Sequence, residues 1–447
     1  MNAGLKFFAA SADAAPITDP DEVDRLYRRN RFRVMVAITL GYGLIYTCRL
    51  ALGVVKKPLI DGGIFTPSEL GMIGSALFYT YAIGKLGNGF LADHANTRRF
   101  LTAAFLLTAL CNIAMGLSTT VLAASLIWGL NGWFQSFGAP GGVVAITAWF
   151  SNSERGRAYG IWSTAHSIGE GLTFLVVGAL VATLGWRWGF WGPGIIGIVT
   201  AIGCYAWLRD RPSTLGLPPV NEWKNDKYSE SAKDSASSVL ALQLSILKLP
   251  AIWILALASA TTYVTRYAIN SWGILYLQEM RHYSLTEAGT LLMLSTLAGI
   301  AGAIGYGYAS DKLFGARRPP ANLLFGIIEL LGLAIIFFGP TSTPMLIVGM
   351  LLFGMGITGL VTSLGGLFAV DVAPKRAAGA AMGVIGVFSY IGAAIQELVS
   401  GSLINSGMTY VDGHRVYDFG PAIWFWIGSS AVSLILATSL WRTSLRD

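Results

Sequence analysis

The chain carries little charge: of 447 residues only 12% are Asp, Glu, Lys or Arg, while 54% are hydrophobic. A soluble domain has about a quarter charged residues, so a water-soluble globule is excluded. Cysteine is scarce as well. Cys48, Cys111 and Cys204 sit far apart, each inside an apolar run, which argues against a disulfide scaffold and for small packing groups. With only four histidines and no metal-ligand spacing, no metal and no cofactor are expected. The glycine-containing runs have no strand context, so no nucleotide-binding loop is credible. No nucleophile, base and orienting residue form a set, and an enzyme is not expected. The first 32 residues are polar and mixed in charge, unlike a cleavable signal peptide, so the first apolar run should remain as a helix.

What the chain does have is repeated apolar runs of about 20 residues, the length of helix that crosses a hydrocarbon core. They are continuous and glycine-rich instead of alternating, which disfavours a β-barrel. Twelve spans can be drawn, near 34–56, 70–92, 99–118, 121–148, 157–182, 187–207, 250–277, 286–309, 321–339, 344–369, 378–402 and 421–441. The expected fold class is an all-α membrane protein of twelve helices in two six-helix bundles. Its parts are an N-terminal arm (1–33), a first bundle (34–207), a polar linker (208–249), a second bundle (250–441) and a tail (442–447).

The net charge of +7 is concentrated in short loops, so it reads as topology and not as a nucleic-acid surface. Cations crowd the arm (Arg25, Arg28, Arg29, Arg31, Arg33), the linker, and the loops holding Arg98 and Arg99, Arg155 and Arg157, Lys312, Arg317 and Arg318, and Lys375 and Arg376. Residues 118–120 and 340–344, on the other side, have none. The positive-inside rule therefore puts both termini and the linker in the cytoplasm.

Within this apolar chain two arginines stand out. Tyr42, Tyr46, Arg49 and Gly53 share one helical face of span one, and Tyr263, Arg266, Tyr267 and Asn270 share one face of span seven. A guanidinium keeps its proton, and an uncompensated charge at the bilayer centre costs from ~3 to over 10 kcal/mol. Neither span contains an acid deep in the membrane, so the expected partner is an anion from outside the fold. The bland alternative is that both arginines snorkel to an interface or bond helix-end carbonyls.

The halves also repeat. Arg266 follows Arg49 by 217 positions, Asp311 follows Asp93 by 218, and Gly383 and Gly392 follow Gly160 and Gly169 by 223. A parallel repeat joined by a cytoplasmic linker is the sequence form of a two-bundle transporter with its site between the bundles. Asp93 and Asp311 are expected to cap helices and pair with loop arginines, as gates that break and reform.

Several segments carry a family resemblance. They are Tyr46-Thr-Cys-Arg49, Gly84-Lys85, Thr164-Ala-His166-Ser-Ile-Gly169, Tyr263-Val-Thr-Arg266-Tyr-Ala-Ile-Asn270 and Ala373-Pro-Lys-Arg-Ala-Ala-Gly379. Together with the acidic-then-basic loops at Asp93–Arg99 and Asp311–Arg318, they resemble the major facilitator superfamily, and within it the organophosphate:phosphate antiporters. The stretch Leu208–Pro218, Glu222-Trp223 and Ser310–Phe314 look most like the hexose-phosphate sensor branch. One departure is Ser271, which stands where an acid usually precedes the tryptophan of span seven.

The resemblance implies that Arg49 and Arg266 grip a substrate phosphate, with Lys85 and His166 nearby. Two arginines suit a phosphomonoester, which carries about −1.5 to −2 charges at neutral pH. Tyr42, Tyr46, Tyr263, Tyr267 and Asn270 are expected to close around phosphate or organic moiety. Glu170 and Glu397, also inside spans, are open to two readings: proton coupling or sugar contact, and pairing with Lys85 or another polar group. The implied activity is exchange of a sugar phosphate for inorganic phosphate by a monomer in a bacterial inner membrane. A sensor working with a membrane histidine kinase and a proton-coupled organic-anion carrier are the alternatives.

Overall fold

In the computed structural model, the described residues are 8–9, 11–226, 244–374, 377–412 and 414–441. Lys375 and Arg376, the linker's Lys227 and Lys233, and the tail lie outside them. The chain is almost entirely helical. Its N-terminal helices are α1 (Pro20–Asp61), α2 (Pro67–His94), α3 (Thr97–Met115), α4 (Val121–Gln135), α5 (Gly138–Trp149), α6 (Arg155–Leu172), α7 (Gly178–Leu184), α8 (Trp188–Trp207) and the short α9 (Val220–Trp223). The C-terminal helices are α10 (Pro250–Met280), α11 (Leu285–Tyr308), α12 (Arg318–Phe338), α13 (Thr343–Thr362), α14 (Phe368–Val372), α15 (Ala378–Ser406) and α16 (Gly420–Ser439). Short π-helical turns join α6 to α7 and α13 to α14, making continuous rods.

Among the described residues, ten of these rods are long and apolar enough to cross a membrane. The other two of the twelve expected spans correspond to α2 and to α4 with α5. The α2 helix is 28 residues long but is diluted by Ser, Tyr, Thr, Lys and Asn. The fourth span breaks at Ser136–Phe137, just before the Gly138–Gly142 cluster with Pro140.

The first helix begins well before the apolar run. Asp19 caps it by accepting from the Asp21 amide, and Pro20 occupies its first turn. The residues after α8 fold back onto this arm. Tyr27 stacks on Trp223 at 4.2 Å and donates to the Pro218 carbonyl, while Trp223 Nε1 donates to Asp24 at 2.8 Å. Asp210 takes the amides of Thr97 and Ser11. Residues 208–226, the first part of the polar linker, are therefore a folded strap.

Packing links α1 with α6 and α8, α2 with α4, and α3 with α8; in the second half α10 packs on α15 and α16, and α13 on α11 and α12. The main helix contacts between the halves are α2 with α15, α1 with α10, and the α6–α7 rod with α11. The α2–α15 contact is closest at the end away from the arm. A Cβ added at Gly71 would lie 2.5 Å from the Glu397 backbone oxygen and 3.1 Å from Gly401 Cα. At the arm end, by contrast, the matched glycines Gly160 and Gly383 have nothing within 4 Å. The halves meet closely at the far end, and Gly160 and Gly383 face open space at the arm end.

The far end is also strapped ionically. Lys57 on α1 pairs with Glu279 on α10 and, at 3.2 Å, with Asp61. A hairpin of β1 (Met408–Val411) and β2 (His414–Tyr417) brings Arg415 to the Ile60 carbonyl and, at 3.4 Å, to Asp61. Because Gly71 meets backbone, its neighbours cannot yield cheaply. Gly71→Val is expected to lose about 1–3 kcal/mol to overpacking. The check is a lower melting temperature in detergent, which an open far end would not produce.

Candidate functional site

Mid-way along α1 the side chain of Arg49 enters a pocket of rings. Its guanidinium carbon lies 4.3 Å from the Tyr81 ring centroid, 5.0 Å from Tyr390, 5.2 Å from Tyr46 and 5.8 Å from Phe78. The residue is 3% exposed, and its Nε and Nη2 are buried without a hydrogen-bond partner. Cation–π contacts give about 0.5–2 kcal/mol each, which softens the burial without supplying acceptors. A planar donor fork is thus aimed into a phenol-lined space between the halves. It neither snorkels nor caps a helix.

Arg266 occupies the matching place on α10 and is solved differently. Its Nη2 donates to Glu170 Oε2 at 2.8 Å, and Asn270 Nδ2 donates to Glu170 Oε1 at 2.6 Å. Glu170 comes from α6, in the other half of the chain. The expectation that each arginine lacks a protein anion therefore fails at Arg266. Inspecting spans one and seven alone missed an acid that packing brings across from span five.

A shared aromatic wall joins the two arginines. Arg266 lies 6.0 Å from the Tyr263 ring and 5.9 Å from Tyr267. Tyr263 packs on Tyr390 at 5.5 Å, and Tyr267 on Phe78 at 4.5 Å, both of which also touch Arg49. Tyr42 and Tyr46 flank His166, with ring centroids 4.8 and 5.3 Å away, and the Tyr42 hydroxyl lies 3.3 Å from His166 Nε2. Lys85 extends over Tyr390 at 5.1 Å and makes no ion pair among the described residues. Arg49, Arg266, Lys85, His166, the four tyrosines and Asn270 thus converge on one region, to which Tyr81, Phe78 and Tyr390 must be added. Those three were missed because a tyrosine or phenylalanine in an apolar run has no signature until a cation is placed beside it.

Lys56 is a larger omission. It lies two turns beyond Arg49, is fully buried, and donates to Ser271 Oγ at 2.7 Å and Glu397 Oε2 at 2.9 Å. Its ammonium also sits 3.3 Å from the Trp272 ring centroid. This ion pair ties α1 to α15 at the closed end. Ser271, the departure from the family pattern, still contacts a cation, but the acid comes from Glu397. The pairing of either glutamate with Lys85, one of the open readings, is not what forms.

The loop aspartates behave unequally. Asp311 pairs with Arg318 at 3.1 Å, and Arg318 also holds Asp371 at 2.6 Å. Asp93 is exposed and makes no ion pair among the described residues. In its loop Asn96 does the capping by accepting from the Arg99 amide at 3.0 Å. Arg98 is turned to the Tyr205 carbonyl at 2.7 Å instead.

Residues 35–396 match the family model of the Major Facilitator Superfamily. The Membrane sensor protein UhpC of Salmonella typhimurium is 35% identical over 97% of this chain and 95% of its own. A Probable hexose phosphate transport protein of Chlamydia pneumoniae is 33% identical, covering 88% and 89%. The Glycerol-3-phosphate transporter of Bacillus subtilis is 30% identical over 96% of each. In fold, the chain is similar to a bacterial homologue of the human lysosomal transporter Spinster in an inward-facing, unoccupied conformation. That likeness has a TM-score of 0.74 and 18% identity and covers 91% of this chain and 95% of the other. The chain is therefore a multi-pass membrane protein of the major facilitator superfamily, in the branch that holds these phosphate-ester carriers and sensors.

Proposed function

We propose that the protein carries a phosphorylated metabolite, a hexose phosphate or glycerol phosphate, across a bacterial inner membrane in exchange for inorganic phosphate. The observation that carries this reading is the buried Arg49 fork, caged by four rings and without a hydrogen-bond acceptor. A phosphate oxygen pair meets that need, and the phenols of Tyr46, Tyr81 and Tyr390 can donate to the remaining oxygens. Arg266 from the other half is the second grip, with His166 and Lys85 in support.

The two bundles, residues 34–207 and 250–441, rock about this site, and the strap 208–226 stays with the first. The cation-rich arm end is cytoplasmic by the positive-inside rule. The open space at Gly160 and Gly383 supports an inward-open reading, with the far end sealed by Lys56–Glu397 and Lys57–Glu279. Asp311 and Asp93 belong to the opposite gate, which is open. The names of the relatives support the substrate class.

The test is exchange of radiolabelled phosphate in proteoliposomes. Counterflow that requires phosphate or a hexose phosphate inside is expected. A protein that binds but never exchanges would be a sensor instead. That second reading is favoured by the similarity to UhpC and by the folded strap, which gives a receptor a rigid cytoplasmic surface.

A further inference from the structure

The two arginines are not in the same state. Arg49 has buried donors without acceptors, whereas Arg266 and Asn270 both already hold the carboxylate of Glu170. That carboxylate is itself buried, with 7% of its side chain exposed, and it arrives from the opposite half of the chain. Two oxygens accept from two donors, at 2.8 and 2.6 Å, much as a phosphate would accept from the same pair. Beside it lies a crevice lined by Ser167, Ser295, Thr296 and Thr358.

Building on the phosphate reading, we infer that Glu170 is a built-in competitor: it occupies Arg266 and Asn270 in the cargo-free protein and must be displaced by the incoming phosphate. Three consequences follow from that geometry. The intrinsic grip of the site is stronger than its apparent affinity, because part of it is spent on removing Glu170. The cargo-free site is less cationic than two bare arginines would make it, with Arg49 and Lys85, which has no ion pair among the described residues, left to recruit the anion. The Glu170 contact also spans the halves, so cargo entry exchanges one inter-half link for another. Glu170 is a positioning and affinity-setting residue for phosphate. It is not a contact for the organic moiety.

The test is isothermal titration of the full-length protein in detergent with inorganic phosphate and, separately, with a hexose 6-phosphate. Both ligands are titrated into wild type, Glu170→Gln and Glu170→Asp. Glutamine keeps the shape and removes the charge, so both ligands should bind about tenfold tighter, within the usual range of coupling between linked sites. Aspartate keeps the charge but not the reach, and should give a smaller gain. Each ligand should also raise the melting temperature of Glu170→Gln more than that of wild type, which checks that the variant is folded.

Unchanged or weaker binding of inorganic phosphate in Glu170→Gln, with wild type binding normally, would overturn the competitor role and leave the phosphate reading intact. Loss confined to the hexose phosphate would also overturn it, by making Glu170 a sugar contact. Wild type that binds neither ligand would overturn the phosphate reading itself, and this inference with it.

Discussion

Arg49→Lys is expected to weaken phosphate binding on the order of a hundredfold, about 3 kcal/mol. The charge survives this substitution, so a pocket that needed only a positive potential would barely notice. What is lost is the planar fork, which can present two parallel donors to one phosphate. The cage adds to the loss. Tyr46, Tyr81, Tyr390 and Phe78 surround a flat guanidinium, and a compact ammonium on a shorter reach leaves part of that wall without a partner. Arg266→Lys is expected to act in the same direction but less steeply, because it disturbs the Glu170 contact as well as the cargo contact. Titration with inorganic phosphate measures both, and undiminished affinity in Arg49→Lys would remove Arg49 from the site.

The second large effect is expected at the closed end. Glu397→Gln leaves Lys56 fully buried without an anion, and breaking a buried ion pair from one side costs about 3–5 kcal/mol. Ser271 and the Trp272 ring remain, but a neutral hydroxyl and a π-face do not replace a carboxylate. That cost falls only on the conformation in which the far end is shut, since opening it gives Lys56 water. The population should therefore move toward the far-end-open form. Spin labels on Leu117→Cys and Thr341→Cys, one per half in far-end loops, should show a longer distance in Glu397→Gln than in wild type. The native cysteines do not interfere, because Cys48, Cys111 and Cys204 are all buried. Removing both charges, as Lys56→Met with Glu397→Gln, should restore much of the closed population, because no unpaired charge is then buried. An unchanged distance in the single variant would mean that Gly71, Gly401 and the Lys57–Glu279 strap hold the end without this pair.

How much of this could be read beforehand depended on the range of each signal. Hydrophobic run length is local, so the spans were legible. Arg49 and Arg266 were legible because a permanent charge in an apolar run has no ordinary use. Their surroundings were not. Glu170 is 96 positions from Arg266, and Glu397 is 341 from Lys56, so neither pairing leaves a trace in its own span. Lys56 was overlooked for a related reason: it sits beside Lys57 at the edge of its apolar run, where a snorkelling lysine is the ordinary reading. Yet α1 continues to Asp61, and the hairpin covers its end. That hairpin had a signal in the alternation of Met408–Tyr417 around Asp412-Gly413, a favoured turn pair. The folded strap had one too, in Trp223, which a free linker has no reason to carry.

On the exchange reading, an empty site holding uncompensated cations disfavours reorientation, and a bound phosphate relieves it. With Glu170 on Arg266, the cations of the cargo-free pocket without a carboxylate partner among the described residues are Arg49 and Lys85. On that reading the bias against empty reorientation would come from these two cations and from the inter-half links.

The central claim is that the pocket recognises phosphate and not the sugar to which it is attached. It is tested most directly by titrating the purified protein with inorganic phosphate, a hexose 6-phosphate and the unphosphorylated hexose. Binding of the first two, each displacing the other, with no binding of the third, is the predicted result. Binding of the free hexose, or a hexose phosphate that inorganic phosphate cannot displace, would contradict it.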